Sequence, residues 1–259
     1  MFQVDAFADR VFAGNPAAVL ICDAWPPDDL MQAIAEENNI AETAFAVPRD
    51  GAFDLRWFTP KHEAAFCGHA TLATAHVLIA ELGYEVGERL QFHTQVGTLR
   101  VWPRNGAYLM ALPSHPPQFL DTIPDWAETM AGDRAVRAFE NFENSFLELA
   151  SEQDVRDFVP DLAALAGPLD LDLCITARGE SVDFVSRYFA PRAGIPEDPV
   201  TGSTHATLVP FWAGRLGQTA FDAVQCSARG GRLECELQGG EVHITGSAVT
   251  FMRARITVP

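Results

Sequence analysis

Three residues stand where proton chemistry could be done. Glu42, in Asn38-Asn39-Ile40-Ala41-Glu42-Thr43-Ala44-Phe45, opens an apolar strand-like run. His69 follows Gly68 at the start of an apolar helical stretch, and Asp198 lies in Pro196-Glu197-Asp198-Pro199 ahead of a second one. A carboxylate beside Phe45 and Val47 can be partly desolvated, which raises its pKa toward the range useful for general acid/base work. The plainer reading of Glu42 is a solvated acid at a strand start. A histidine in the first turn of a helix is expected to have its pKa pushed down and to act as a neutral hydrogen-bond partner, or to be satisfied structurally. Asp198 reads equally as a loop acid or a distal cap.

Both helices open on glycine turns, Cys67-Gly68-His69-Ala70-Thr71-Leu72 and Asp198-Pro199-Val200-Thr201-Gly202-Ser203-Thr204-His205. The first turn of such a helix carries unpaired N–H groups and the positive end of the dipole, so each can hold an anion. Two of them suggest a small carboxylate gripped from both sides of a cleft between two half-domains. Thr71 and Ser203 can cap their helices. A two-thiol racemase would need a cysteine at both turns; the second turn has Thr201 and Ser203 instead, so Cys67 reads as a small buried apolar residue.

Other chemistries find no support. His62-Glu63 has Phe66 where a zinc-protease helix would place its second histidine. No Gly-x-Ser-x-Gly elbow surrounds Ser203, and no dinucleotide or phosphate-loop glycine pattern follows a strand. Ser227-Ala228-Arg229-Gly230-Gly231 is a sharp turn carrying a cation, either an anion contact or a strand link.

The 259 residues suffice for one large domain or two modest ones. A formal net charge of −17 argues against nucleic acid and anionic membrane surfaces, and no apolar run approaches a membrane span. Five cysteines without paired spacing point to reduced thiols in a cytoplasmic protein.

The elements that must position these groups follow from the pattern. Strands are expected at 2–7, 17–22, 43–47, 53–58, 90–95, 98–102 and 108–112, with helices near 28–37 and 71–82, the second closing at Gly83. Residues 113–124 are proline-rich and read as a linker. Beyond them come a short helix capped by Ser151, strands at 169–176 and 182–189, and a buried helix from 203 to 216 closing at Gly217. Four short strands finish the chain, at 223–227, 232–237, 241–245 and 249–257. The halves thus share one plan, and His-Ala-Thr-Leu occurs at His69–Leu72 and again at His205–Leu208.

These segments together resemble the PhzF-like family, the phenazine-biosynthesis isomerases and their relatives. The likeness rests on Val4-Asp5-Ala6-Phe7, Phe12-Ala13-Gly14-Asn15-Pro16-Ala17-Ala18-Val19 and the run from Glu37 to Phe45. It continues through Arg56-Trp57-Phe58-Thr59-Pro60, Phe66-Cys67-Gly68-His69-Ala70-Thr71, Glu197 to Ser203 and Ala228-Arg229-Gly230-Gly231. The resemblance implies an α/β protein of the α+β type with the diaminopimelate epimerase-like fold: two pseudo-symmetric halves, 1–115 and 116–259 with the last strand able to return to the first half, each a curved, mainly antiparallel sheet around a central helix. It implies Glu42 as general acid/base with His69 and Asp198 as active-site partners, and a substrate held by Gly68, Gly202 and Ser203, with Ala70, Thr204, Arg229 and Gly230 beside them. One departure is Ala41, where the family commonly has Ser before the acid.

The expected activity is a cofactor-independent isomerase or epimerase, without a metal, acting on a small carboxylate-bearing substrate, in a homodimer. The competing expectations are a Ser203/His hydrolase and a non-catalytic carboxylate-binding protein.

Overall fold

Short apolar runs broken at glycine and proline turns form strands, and the two runs that are apolar all round form buried helices. The structure, a computed structural model, describes residues 1–258. The chain divides into two units: Met1–Ala111 together with the segment from Thr245 onward, and Leu112–Ile244.

In the first unit β1 (Phe2–Ala6) pairs antiparallel with β2 (Asn15–Ile21), which runs parallel to β3 (Glu42–Arg49). β3 is antiparallel to β4 (Ala52–Phe58), and β4 pairs antiparallel with the short β5 (Glu63–Ala64) and parallel with β6 (Leu90–Thr94). β7 (Gly97–Arg104) and β8 (Ala107–Pro113) then continue antiparallel, turning at Val96-Gly97 and Asn105-Gly106. Helix α1 (Asp28–Asn38) bridges β2 and β3 and sets Met31 and Ala35 against Phe45 and Phe58, whose rings meet edge-on at 5.6 Å. Helix α2 (Gly68–His76) is the central one. Every residue from Gly68 to Ala75 is buried, and it packs on β1, β2 and β3. Its two threonines hide their hydroxyls by donating to Cys67 O at 2.6 Å and Ala70 O at 2.7 Å.

The second unit repeats this order of pairings. β9 (Gln118–Phe119) and α3 (Asp125–Ala131) lead into β10 (Ala135–Glu140), which is antiparallel to β9 and to β11 (Ser145–Leu149). After α4 (Glu152–Arg156) and α5 (Leu162–Ala166), β12 (Leu173–Arg178) runs parallel to β11 and antiparallel to β13 (Phe184–Ala190). β14 (Ile195–Asp198) pairs on β13 as β5 does on β4, helix α6 (His205–Leu216) follows, and β15 (Ala220–Gln225) lies parallel to β13. β16 (Gly231–Gln238) is antiparallel to β15. Strand alternation separates two apolar layers. Leu147, Ile175, Val185 and Phe189 cluster with Val155 of α4 and Leu165 of α5. On the α6 side, Phe139 stacks on Phe211 at 4.2 Å, Phe184 on Trp212 at 5.8 Å, and Trp212 Nε1 donates to Thr176 Oγ1 at 3.0 Å.

Several expectations are corrected. The final two strands are one, β17 (Glu241–Arg253), whose distal part pairs antiparallel with β1. Gly246 is there for space: a Cβ would stand 2.3 Å from Phe7 Cδ1, so glycine lets the strand pass the ring without turning. β10 and β11 fall in a stretch not expected to be stranded, and β9 lies inside the expected linker. Neither Thr71 nor Ser203 caps a helix. The N-cap positions are Cys67 and Thr204, and no side chain closes either end. Ser151 does cap α4, accepting from Asp154 N, and Gly217 ends α6 in the left-handed conformation as expected. The central helix of the first unit starts three residues earlier than expected and ends in a wide turn over Val77–Glu81.

Gly14, which aims Asn15 into the interior, has φ +63, and a Cβ there would lie 2.1 Å from Ala6 O and 2.8 Å from Ala8 Cβ. Neither obstacle can swing away. Gly14→Ala is expected to cost about 3 kcal/mol or more in chemical denaturation. Gly51→Ala, with φ +79 but open space, should cost only about 1 kcal/mol. Equal losses in the two variants would show that the contact at Gly14 is not the constraint.

Candidate active site

The first unit brings Glu42 and His69 together. Glu42 heads β3, where the parallel register sets it beside Ala17 of β2, and His69 is the second residue of α2. Glu42 Oε2 lies 3.0 Å from His69 Nε2, with the two side chains only 13% and 6% exposed. The approach is off the ring's N–H direction, so Oε2 is buried and receives no hydrogen bond in line. A buried carboxylate oxygen with an unused lone pair can accept from one further donor.

Two residues outside the expected site hold this pair. Asn15 is fully buried, and its Nδ2 lies 3.2 Å from His69 Nδ1. With the amide nitrogen toward the ring, the imidazole proton sits on Nε2 and faces Glu42; turning the amide over presents its oxygen, as the doubly protonated ring requires. Cys67, buried as its apolar reading suggested, also has its sulfur 3.5 Å from His69 Nδ1 and 3.9 Å from Nε2. The signal for Asn15 was its place after Gly14; nothing in the sequence marked it as a partner of His69.

Electrostatics reverse the expectation for His69. Burial is the largest influence on the ring and pushes its pKa down, but the Cys67 sulfur and the Glu42 carboxylate push up and prevail. The result lies well above the usual histidine value. Burial, reinforced by Glu42, holds the Cys67 thiol at about 11, so at neutral pH it is a thiol. The helix terminus, which favours the neutral ring, is outweighed.

Glu42, Cys67 and His69 are also the one group of metal-capable side chains among the described residues, their ligand atoms lying within 4.8 Å of one another.

In the second unit Asp198 ends β14, is 8% exposed, and accepts a short hydrogen bond from Thr201 Oγ1. Gln225, fully buried on β15, fixes that loop: its Nε2 donates to Asp198 O at 2.8 Å and its Oε1 accepts from Thr201 N at 2.8 Å. Sequence reasoning missed Gln225, because a single glutamine at a strand end carries no signal. Gly202 and Thr204 are buried and Ser203 half-buried at the entry to α6. Arg229 and Gly230 stand in the turn after β15, where Gly230 N donates to Ser227 Oγ at 3.1 Å. Gly68 and Ala70 belong to the buried first turn of α2.

His205 differs from His69 throughout. Its Nδ1 is 2.9 Å from Thr201 O, its Nε2 is buried without a partner, and burial pushes its pKa down to about 4. Ser203 makes no hydrogen bond to it among the described residues. A Ser203–His205 dyad is therefore not assembled. The same unit holds a cavity of about 400 Å³ lined by Phe142, Glu143, Asn144, Asp172, Tyr188 and Arg192. Tyr188 faces Asp198 across the β13–β14 register and donates to Asn144 Oδ1 at 2.7 Å.

Comparison with known proteins identifies the class and then the family. The fold is shared with a probable proline racemase from Agrobacterium radiobacter, at a TM-score of 0.66 and 11% identity over 100% of this chain and 92% of that one. More specifically, the pattern of the phenazine biosynthesis-like protein family, PhzC-PhzF, matches residues 4–254, and the chain belongs to that family. A Pseudomonas aeruginosa protein named an uncharacterized isomerase is 47% identical over 254 residues, 98% of this chain and 97% of its own. The crystal structure of a PhzF-family phenazine biosynthesis protein from Enterococcus faecalis superposes with a TM-score of 0.92 at 44% identity, covering 97% of this chain and 96% of the other. No helix among the described residues is long and apolar enough to cross a membrane.

The His69 ring should titrate with a midpoint above the unperturbed value of about 6.5 when followed by NMR, and Glu42→Gln should lower it. Because the folded-state value is raised, the stabilisation from this pair is complete below about pH 6.5 and is lost as pH rises through the folded value. A wild-type midpoint at or below 6.5 would mean that burial, not Glu42, governs the ring.

Proposed function

We propose that the protein is a cofactor-independent isomerase that moves a proton on a small carboxylate-bearing substrate, with Glu42 as the acid/base. The observation that carries this reading is the buried Glu42 Oε2, 3.0 Å from His69 Nε2 and without a hydrogen bond in line. Relatives named as isomerases lend it support.

Glu42 takes the proton from a carbon acidified by the neighbouring carboxylate or double bond, and the glutamic acid so formed returns it to another carbon or another face. His69 stands 3.0 Å from that oxygen. As an imidazolium it offsets the anion that the substrate becomes when its proton leaves, and it keeps Glu42 oriented. The uncapped first turn of α2, with Gly68 and Ala70, offers backbone N–H groups to a substrate carboxylate. Asp198 is proposed as a further proton-holding group, with Gly202, Ser203, Thr204, Arg229 and Gly230 as substrate contacts in the second unit. Return of the proton to the same face of an unsaturated ring gives an allylic shift, and return to the opposite face gives epimerisation. The protein is further proposed to work in the cytoplasm as a homodimer, without nucleic acid or membrane partners.

The test is proton NMR in D2O with cyclic and unsaturated amino acids, including dihydro-hydroxyanthranilate. Wild type should exchange deuterium into one of them or move its double bond. Glu42→Gln should be slower by about 10²-fold or more, the scale of general acid/base catalysis. Equal rates in folded wild type and Glu42→Gln would remove Glu42 as the base. Complete silence of folded wild type across the panel would favour a carboxylate-binding protein without turnover.

A further inference from the structure

The same three side chains that surround the proton-transfer position have the composition of a metal site. Glu42 contributes an oxygen from the head of β3, Cys67 a sulfur from the residue before α2, and His69 a nitrogen from its first turn. Two separate elements therefore supply them, and the Cys67-Gly68-His69 spacing lets both ligands of the turn face one point. Glu42 Oε2 and His69 Nε2 are 3.0 Å apart, Cys67 Sγ and His69 Nε2 3.9 Å, and all three ligand atoms fall within 4.8 Å. Neighbouring ligands of a tetrahedral zinc ion, with bonds of about 2.0–2.3 Å, stand about 3.4 Å apart. The two separations from Nε2, 3.0 and 3.9 Å, lie on either side of that value. Glu42 Oε2 is buried and ion-paired with His69 but takes no hydrogen bond in line, so a lone pair remains for a cation.

We propose that Glu42 Oε2, Cys67 Sγ and His69 Nε2 form a three-ligand site for one thiophilic divalent cation, Zn2+ or its spectroscopic substitute Co2+. A carboxylate and a thiolate bring two negative charges to a divalent ion, and the mixed O/S/N set disfavours Mg2+ and Ca2+, which take oxygen alone. Asn15, with its amide oxygen turned to the ring, receives the Nδ1 proton and holds the imidazole in the tautomer that binds through Nε2. Binding releases the thiol proton of Cys67, and any proton on Nε2, to solvent; three bonds to the metal form and no electrons move. The fourth position stays open, as in zinc sites that accept water or a small ligand. One ion per chain follows, because among the described residues no second such group exists. The occupied site ties up the lone pair that Glu42 needs as a base, so the cation acts as an inhibitor and not as a helper of the proposed reaction. The binding claim stands apart from that reading and is tested without it.

Reduced, chelator-treated protein is titrated with Co2+ under argon and followed by absorbance. The expected result is a thiolate-to-cobalt charge-transfer band in the near ultraviolet, with visible bands of four-coordinate intensity, saturating at one equivalent and displaced by Zn2+. Cys67→Ser should abolish the charge-transfer band. Glu42→Gln should weaken binding by about tenfold or more. A Cys22→Ser/Cys226→Ser double variant, which removes the two half-buried thiols, should retain the whole signal. Circular dichroism confirms that each variant is folded. No band with folded wild type, or a band that survives Cys67→Ser, overturns the assignment. Isotope exchange reports on the function separately, so failure of either reading leaves the other to its own experiment.

Discussion

The close, buried approach of Glu42 to His69 is the constraint on which the rest of the first unit depends. Two ionisable groups at 3.0 Å, each almost shielded from water, must either pair or neutralise, since an unpaired charge in such a place costs several kcal/mol. Much of the surrounding structure keeps the pair in place. The parallel β2–β3 register sets the height of Glu42, and α2, packed on β1, β2 and β3, sets that of His69. Gly14, in a conformation and a space that only glycine fits, turns Asn15 inward to the far side of the ring. The pair is short of an aligned hydrogen bond, so part of the carboxylate's capacity is left for another partner.

The second unit shows what the same topology does without that carboxylate. Its pairings follow the same order of antiparallel and parallel contacts, and the His-Ala-Thr-Leu that opens its central helix stands one residue into α2. Yet His205 is held neutral, its pKa down at about 4, while His69 is pushed above its usual value. The difference lies in what each ring meets. His205 finds the Thr201 carbonyl and the Phe184 ring; His69 finds Glu42 and Cys67. The two frames are similar, and different residues at strand heads and turns give them opposite electrostatics. The acid of the second unit, Asp198, is instead placed on the short strand before the helix and tied to Thr201 and Gln225.

Cys67 illustrates how one environment admits two chemistries. Its thiol is protonated at neutral pH and sits as a small apolar group against the helix start. The proton that makes it inert is also the one a soft metal ion would displace. Family membership and fold do not decide between such uses; the residues around the atom do.

Sequence alone determined most of the element order, because the apolar period, glycine stops and proline turns act locally. The two central helices were legible as runs apolar on every side, and the acid, the histidine and the second acid were legible as polar residues at the ends of such runs. What the sequence could not carry was long-range. β10 and β11 hold only five or six residues each, with too little pattern to stand out from loop, and they are strands because β9 and β12 pair with them. The unbroken course of β17 past Gly246 depends on Phe7, some 240 residues earlier. Asn15 and Gln225 are ordinary amides until folding sets them beside His69 and Asp198. The direction of the His69 shift was read wrongly from its helix position for the same reason. A local dipole can be inferred from neighbours in the chain, but a carboxylate 27 residues away in sequence acts only once the tertiary structure has brought it to 3.0 Å and removed the water between them.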